Sequence, residues 1–89
     1  MKTISIVLFL LSFFVSFGQT AEEYFGRGYS KAELGDYSGA IQDYNKAIEL
    51  EPNYAGYHNR GNAKDKIGDH RGAIQDYNKA IELNPNGST

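Results

Sequence analysis

Apolar residues recur along the chain at intervals of three and four, which is the spacing of an amphipathic helix. In the segment IQDYNKAIEL, residues 41–50, the apolar residues Ile41, Tyr44 and Ile48 recur at intervals of three and four. This spacing places them on one face of an α-helix. We therefore predict a helix with a single apolar face, and we expect the polar residues of the segment, including Asp43, to lie outside that face.

The same ten residues occur again at 74–83, which is 33 positions later. Superposing residues 24–53 on residues 57–86 at this constant offset gives 20 identities in 30 positions without a gap. Self-similarity at a fixed period indicates a repeat protein, in which each unit buries its apolar face by stacking on the next.

Local chemistry divides each repeat into two helices. Gly35 and Gly68 end the first helix with a residue that tolerates positive φ, and an aspartate such as Asp36 then caps the next helix. Pro52 and Pro85 end the second helix, because a proline ring disfavours helical geometry in the residue before it. The chain is therefore predicted to be all-α, with helices at about residues 21–34, 37–51, 54–67 and 70–84.

These residues resemble the tetratricopeptide repeat family, whose pattern is W-x2-L-G-x2-Y, then A-x3-F, then P. The matching residues of the two repeats are Tyr24, Gly28, Ala40, Tyr44 and Pro52, and Tyr57, Gly61, Ala73, Tyr77 and Pro85. The resemblance covers residues 21 to 86. It implies helix-turn-helix hairpins stacked as a short right-handed solenoid, a module of residues 19–86 with repeats at about 21–53 and 54–86.

Four basic residues depart from the family pattern. Arg27 and Arg60 stand where the pattern has Leu, and Lys31 and Lys64 stand where it has Tyr. We expect their methylene stems to pack over the hairpin while their charges stay in water.

The N-terminus has the features of a secretory signal peptide over residues 1–18. Lys2 precedes an apolar run from Ile4 to Gly18, and small residues near its end favour cleavage before Gln19 over a cut after Ala21. The alternative is an uncleaved anchor, but fifteen helical residues extend only about 22 Å, short of a hydrocarbon core of about 30 Å. We expect the protein to be exported, either periplasmic or secreted, without a stable membrane span.

Composition narrows the range of partners. The chain has 9 basic and 11 acidic residues and a net charge of −2, which disfavours nucleic acid or an anionic membrane as the main partner. It has no cysteine, so a module of this size must draw its stability from packing, a partner or self-association.

Positions that differ between the two repeats are candidates for function, because shared residues meet the demands of equivalent packing. Most of the differing positions lie on the first helix of each hairpin, which lines the peptide-binding groove in tetratricopeptide proteins. The predicted groove residues are Phe25, Tyr29, His58, Asn59 and Asn62, with Glu22, Glu33, Asp65 and Lys66 at the edges.

Phe25 and Tyr29 lie one helical turn apart and would form an apolar platform, unless they simply pack against the second hairpin. Asn59 and Asn62 could bracket a backbone amide of a partner. The resemblance implies a protein–protein interaction module that binds a peptide or a partner helix in a groove. We expect no chemistry of its own, no catalytic residues, no cofactor and no metal.

The last predicted helix has an apolar face, formed by Ile74, Tyr77 and Ile81, with no following helix in the sequence to cover it. Three explanations remain open: self-association through this face, docking onto a larger protein, or a chain that is a fragment of a longer array. A structural self-associating subunit is therefore the alternative function. Residues 87–89 are expected to form a disordered tail.

Overall fold

The structure is a computed structural model that describes residues 19–85. The predicted signal peptide and the predicted tail lie outside these residues. The described part consists of four α-helices, which are α1 (Ala21–Glu33), α2 (Tyr37–Leu50), α3 (Tyr54–Lys66) and α4 (His70–Leu83). The all-α prediction is confirmed, and each helix begins at its predicted residue and ends one residue before its predicted end.

Side-chain caps fix where the helices begin. The side chains of Asp36 and Asp69 accept hydrogen bonds of 3.0 Å from the backbone N–H groups three residues later. Thr20 and Asn53 cap α1 and α3 in the same way. Between the helices of each hairpin the chain reverses at a glycine with positive φ, 84° at Gly35 and 91° at Gly68.

The four helices contact one another in chain order: α1 packs on α2, α2 on α3, and α3 on α4. In addition, α1 touches α3 lightly. The second hairpin therefore stacks on the first through α2 and α3. Within the described residues, no further hairpin packs on the surface of α1 or of α4 that points away from the rest of the stack.

In each hairpin, a glycine of the first helix packs against a tyrosine ring of the second helix. A Cβ atom at Gly28 would lie 2.8 Å from the Tyr44 ring and 3.1 Å from the Ala40 carbonyl oxygen, and Gly61 stands equally close to Tyr77. Tyr44 is 1% exposed, and it forms the core together with Ala40 and Ala63 of the second hairpin. Burial is the main reason that the pKa of Tyr44 lies above its ordinary value.

The prediction that Asp43 lies outside the apolar face is wrong. Asp43 is 6% exposed, and its counterpart Asp76 is 3% exposed. Both are buried because basic side chains of the preceding helix reach them. Lys31 Nζ lies 2.9 Å from one Asp43 oxygen, and Arg27 Nη2 lies 3.9 Å from the other.

The expectation that the basic charges stay in water is also wrong for the second repeat. Arg60 binds both carboxylate oxygens of Asp76, at 2.7 and 2.9 Å, and Lys64 Nζ lies 3.1 Å from one of them. Arg60 lies over the Tyr57 ring, 5.3 Å from its centroid, and its Nη1 donates to Asn45 of the first hairpin. Arg60 thus ties its own hairpin together and links it to the preceding one.

Candidate partner-binding groove

A groove of about 330 Å³ runs between α1 and α3. Five of the nine predicted site residues line this α1–α3 groove, namely Tyr29, Glu33, Asn59, Asn62 and Lys66. Ala32, Tyr37, Tyr44 and Ala63 complete it. Tyr37 is the functional candidate that the sequence reasoning left out, although it is one of the positions at which the two repeats differ.

The floor of the groove is apolar and its wall is aromatic. Tyr44 and Ala63 are 1% and 2% exposed and form the floor. Tyr29 is 51% exposed and stands at the side. An exposed aromatic side chain above a rigid apolar floor is the kind of feature that anchors a partner side chain.

The two asparagines use opposite ends of their amide groups within the protein. Asn59 Nδ2 donates to the Ala55 carbonyl at 2.8 Å. Asn62 Oδ1 accepts from the Tyr77 hydroxyl at 2.6 Å. Asn59 Oδ1 and Asn62 Nδ2 have no hydrogen-bond partner within residues 19–85, so one acceptor and one donor remain unused on two residues that line the groove. A peptide group presents the matching N–H and C=O.

The groove also carries one charge of each sign, from Glu33 on α1 and Lys66 on α3. Both side chains are exposed. These charges are therefore available to select a partner segment by its own charges, an effect that acts on specificity and association rate more than on affinity.

Phe25 does not line the α1–α3 groove. Its ring lies 5.6 Å from the Tyr44 ring and 6.5 Å from the Tyr29 ring, and it packs on the edge of the core. With Glu22 it lines a second cavity of about 150 Å³, near the end of α2 and the start of α3. Phe25 and Tyr29, which together were predicted to form an apolar platform, thus line different cavities.

The two remaining predicted residues lie elsewhere on the second hairpin. His58 stacks on Tyr54, with ring centroids 5.3 Å apart, and lines a cavity of about 380 Å³ beside Tyr77 and Ile81. Asp65 Oδ1 lies 2.5 Å from His70 Nδ1. Over residues 19–85, no three His, Cys, Asp or Glu side chains come close enough together to bind a metal ion.

Two helical hairpins that stack through α2 and α3, with a groove between their first helices, define a helical-repeat protein. The family model described as Tetratricopeptide repeat matches residues 21–54 and 55–86, so the chain belongs to the tetratricopeptide repeat family. Repeats of this family are generally protein–protein interaction modules, and their fold is not a catalytic one. A search of curated proteins gives no match to the chain. None of the helices in residues 19–85 has the length and apolar character needed to cross a membrane.

Proposed function

We propose that the protein is an adaptor that holds a peptide or a helix of a partner protein in the α1–α3 groove, and that it carries out no chemistry of its own. The observation that carries this proposal is the pair of unused amide atoms, Asn59 Oδ1 and Asn62 Nδ2, on residues that line the same groove as the exposed Tyr29. A buried floor, an aromatic anchor and a matched donor and acceptor together suit a peptide segment with one large apolar side chain.

Opposite charges at the groove edge suit a partner segment that carries both signs. Glu33 would attract a basic residue of the partner, and Lys66 would attract an acidic one. The net charge of −2 supports a protein partner rather than a nucleic acid.

We also propose that the partner is met outside the cytoplasm. This rests on the apolar run before Gln19, which has the order of features of a secretory signal. Determination of the N-terminus of the protein recovered from cells tests it. A mature chain that begins at Gln19 supports export, and an intact Met1 in all of the protein contradicts it.

Capture experiments with matched variants test the groove. The full chain is used as bait, a co-purifying partner is identified, and its affinity is then measured for the parent, Tyr29→Ala and Leu50→Ala. Leu50 is 56% exposed and lies outside the groove, so its variant controls for the loss of an exposed apolar side chain. Tyr29→Ala should weaken binding about tenfold or more, since an anchoring aromatic is worth about 1–2 kcal/mol or more.

The helicity of all three proteins should be the same by circular dichroism, because Tyr29 is half exposed and lies outside the buried core. Equal weakening by Leu50→Ala, or full affinity in Tyr29→Ala, would show that the partner binds elsewhere.

Self-association as a structural subunit is the second candidate. The observation in its favour is the exposure of Ile74 and Ile81 on α4, at 58% and 54%.

A further inference from the structure

We propose that copies of this chain stack head to tail, with α1 of one copy seated on α4 of another in the way that α3 sits on α2 within a copy. The head face is the surface of α1 formed by Glu22, Glu23, Gly26, Arg27, Ser30 and Lys31. The tail face is the surface of α4 formed by Ile74, Tyr77, Asn78 and Ile81. This stacking does not depend on the proposed function of the α1–α3 groove.

The tail face repeats a surface that is covered elsewhere in the same molecule. Ile81 is 54% exposed, whereas its counterpart Ile48 is 8% exposed because α3 packs on it. Ile74 is 58% exposed, while its counterpart Ile41 packs against the core. The apolar residues of the tail face are therefore the counterparts of α2 residues that lie at the contact with α3, and a helix packed on α4 as α3 packs on α2 would bury them.

The head face repeats the surface that does the covering. Residues 33 positions after Glu23, Arg27 and Ser30 are Gly56, Arg60 and Ala63. A Cβ at Gly56 would lie 2.9 Å from Ile48, and Ala63 belongs to the core cluster with Tyr44. The head and tail faces are thus equivalents of the two halves of the interface between the hairpins.

The polar link across that interface can also be repeated between copies. Within the chain, Arg60 Nη1 donates to Asn45 at 2.9 Å. The counterparts are Arg27, whose side chain is 52% exposed, and Asn78, which is exposed. Arg27 Nη1 donates to the side chain of Gln19 at 3.2 Å in the single chain, and a stacked copy would offer Asn78 in its place.

Charges at the new junction are complementary. Glu51 and Ala55 line one cavity at the internal junction, and their counterparts between copies are Asn84 and Glu22. An amide therefore meets the Glu22 carboxylate, where a second glutamate would repel it. Glu33 and Lys66 both line the α1–α3 groove. At the junction between copies, Lys66 of the first copy is the counterpart of Glu33, and Glu33 of the second copy is the counterpart of Lys66. A positive and a negative side chain therefore meet there, as they do within one chain.

Stacking would also build a second groove from residues of both copies. The counterparts of the nine α1–α3 groove residues are Asn62, Asp65, Lys66, His70 and Tyr77 of one copy, with Gly26, Tyr29, Ser30 and Glu33 of the next. Gly26 takes the place of Asn59, so this groove lacks one of the two asparagine side chains. Asp65 is one of the predicted site residues that the groove of a single chain leaves out. The assembly would give it a place in a groove, beside an exposed tyrosine of the neighbouring copy.

One residue makes this junction weaker than the internal one. Glu23 stands where α3 has Gly56, and even a Cβ at Gly56 would press on Ile48 at 2.9 Å. The larger, charged Glu23 must therefore be held away from Ile81 of the other copy. The stacking is reversible for this reason, and Glu23→Gly should strengthen it by about tenfold.

The test is sedimentation equilibrium of the full chain over a wide range of concentration, with the N-terminus defined by intact mass. A heterologous interface leaves a free face at each end, so the average mass should rise continuously with concentration and not stop at a dimer. Ile81→Glu, which blocks the tail face, and Ser30→Glu, which blocks the head face, should each be monomeric. A mixture of the two should form a one-to-one dimer and nothing larger.

Leu50→Glu is the matched control. Leu50 remains 56% exposed although it is the last residue of α2, the helix that α3 covers, so a charge there should leave assembly unchanged. Circular dichroism shows whether each variant is folded, and Ile81→Ser and Ser30→Arg replace any variant that is not. A parent that stays monomeric, a closed dimer, a mixture that does not dimerise, or equal disruption by Leu50→Glu would each overturn the proposal.

Discussion

Alanine in place of Ile48 or Ile81 should have very different effects on stability, although the two residues occupy the same place in identical ten-residue segments. Ile48 is 8% exposed beneath α3, and Ile81 is 54% exposed on α4. Ile48→Ala removes a buried side chain and leaves a cavity, which costs about 2–4 kcal/mol. Ile81→Ala leaves no cavity and loses less than half of the value of full burial, about 1 kcal/mol.

The assay is urea unfolding followed by far-ultraviolet circular dichroism, at a protein concentration low enough for the chain to be monomeric. The free energies of unfolding of the parent and both variants are compared at a common slope with denaturant. A domain of this size has little stability to lose, so the valine variants are measured as well. Ile48→Val should cost about 1 kcal/mol and Ile81→Val about 0.4 kcal/mol.

Equal costs at the two positions would refute the reasoning. A low cost at both would mean that α3 does not cover Ile48 and that the hairpins do not stack through α2 and α3. A high cost at both in the monomer would mean that Ile81 is covered by another part of the same chain.

Four further predictions concern the buried carboxylate of Asp76 and two glycines of α1. Asp76→Asn should lower the free energy of unfolding by about 2 kcal/mol in urea titrations at neutral pH, because Arg60 and Lys64 lose their charged partner. Burial opposes the charge of Asp76, but hydrogen bonds from Arg60 and Lys64 outweigh it, so its pKa lies below the ordinary value of 3.8. Its contribution to stability is therefore complete above that value and lost as the pH falls through the lower pKa of the folded state, and urea titrations at acid pH should show this loss in the parent but not in Asp76→Asn. Gly28→Ala should lower the thermal midpoint, since the new Cβ would lie 2.8 Å from the buried Tyr44 ring, while Gly26→Ala, which meets nothing within 4 Å, should stabilise by about 0.5–1 kcal/mol.

The helices could be predicted from sequence because their signals are local. Gly35 with Asp36 and the proline Pro52 mark the ends of helices by their own backbone preferences, wherever the rest of the chain lies. The identical ten-residue segments then fixed the period of the repeat. Thr20 and Asn53 carry cap-forming side chains of the same kind, and their types would have supported the same helix starts.

The buried aspartates could not be found by periodicity. The apolar spacing marks Ile74, Tyr77 and Ile81 and leaves Asp76 off that face. The partners of Asp76, Arg60 and Lys64, lie 16 and 12 positions earlier on another helix. The identical recurrence of the basic pair in both repeats was the available signal. Such recurrence favours a structural role for the arginines, but it does not identify the carboxylate that they bind.

The candidate groove was predicted in part for a similar reason. Helical spacing shows that Phe25 and Tyr29 lie one turn apart, but it does not show where α2 crosses α1. The crossing places Phe25 against the Tyr44 ring, whereas Tyr29 lines the groove. Which residue of a pair is core and which is surface depends on a helix that is distant in the sequence.

Photo-cross-linking from the α1–α3 groove tests the central proposal most directly. Tyr29 is replaced by the photo-reactive residue p-benzoylphenylalanine, the full chain is produced in cells that contain its partners, and the adducts are identified by mass spectrometry. The same replacement at Leu50, which is 56% exposed against 51% for Tyr29 and lies outside the groove, is the control. We predict that position 29 gives an adduct with a single defined protein and that position 50 does not give this adduct. No adduct from position 29, or the same adduct from both positions, would contradict a partner held in this groove.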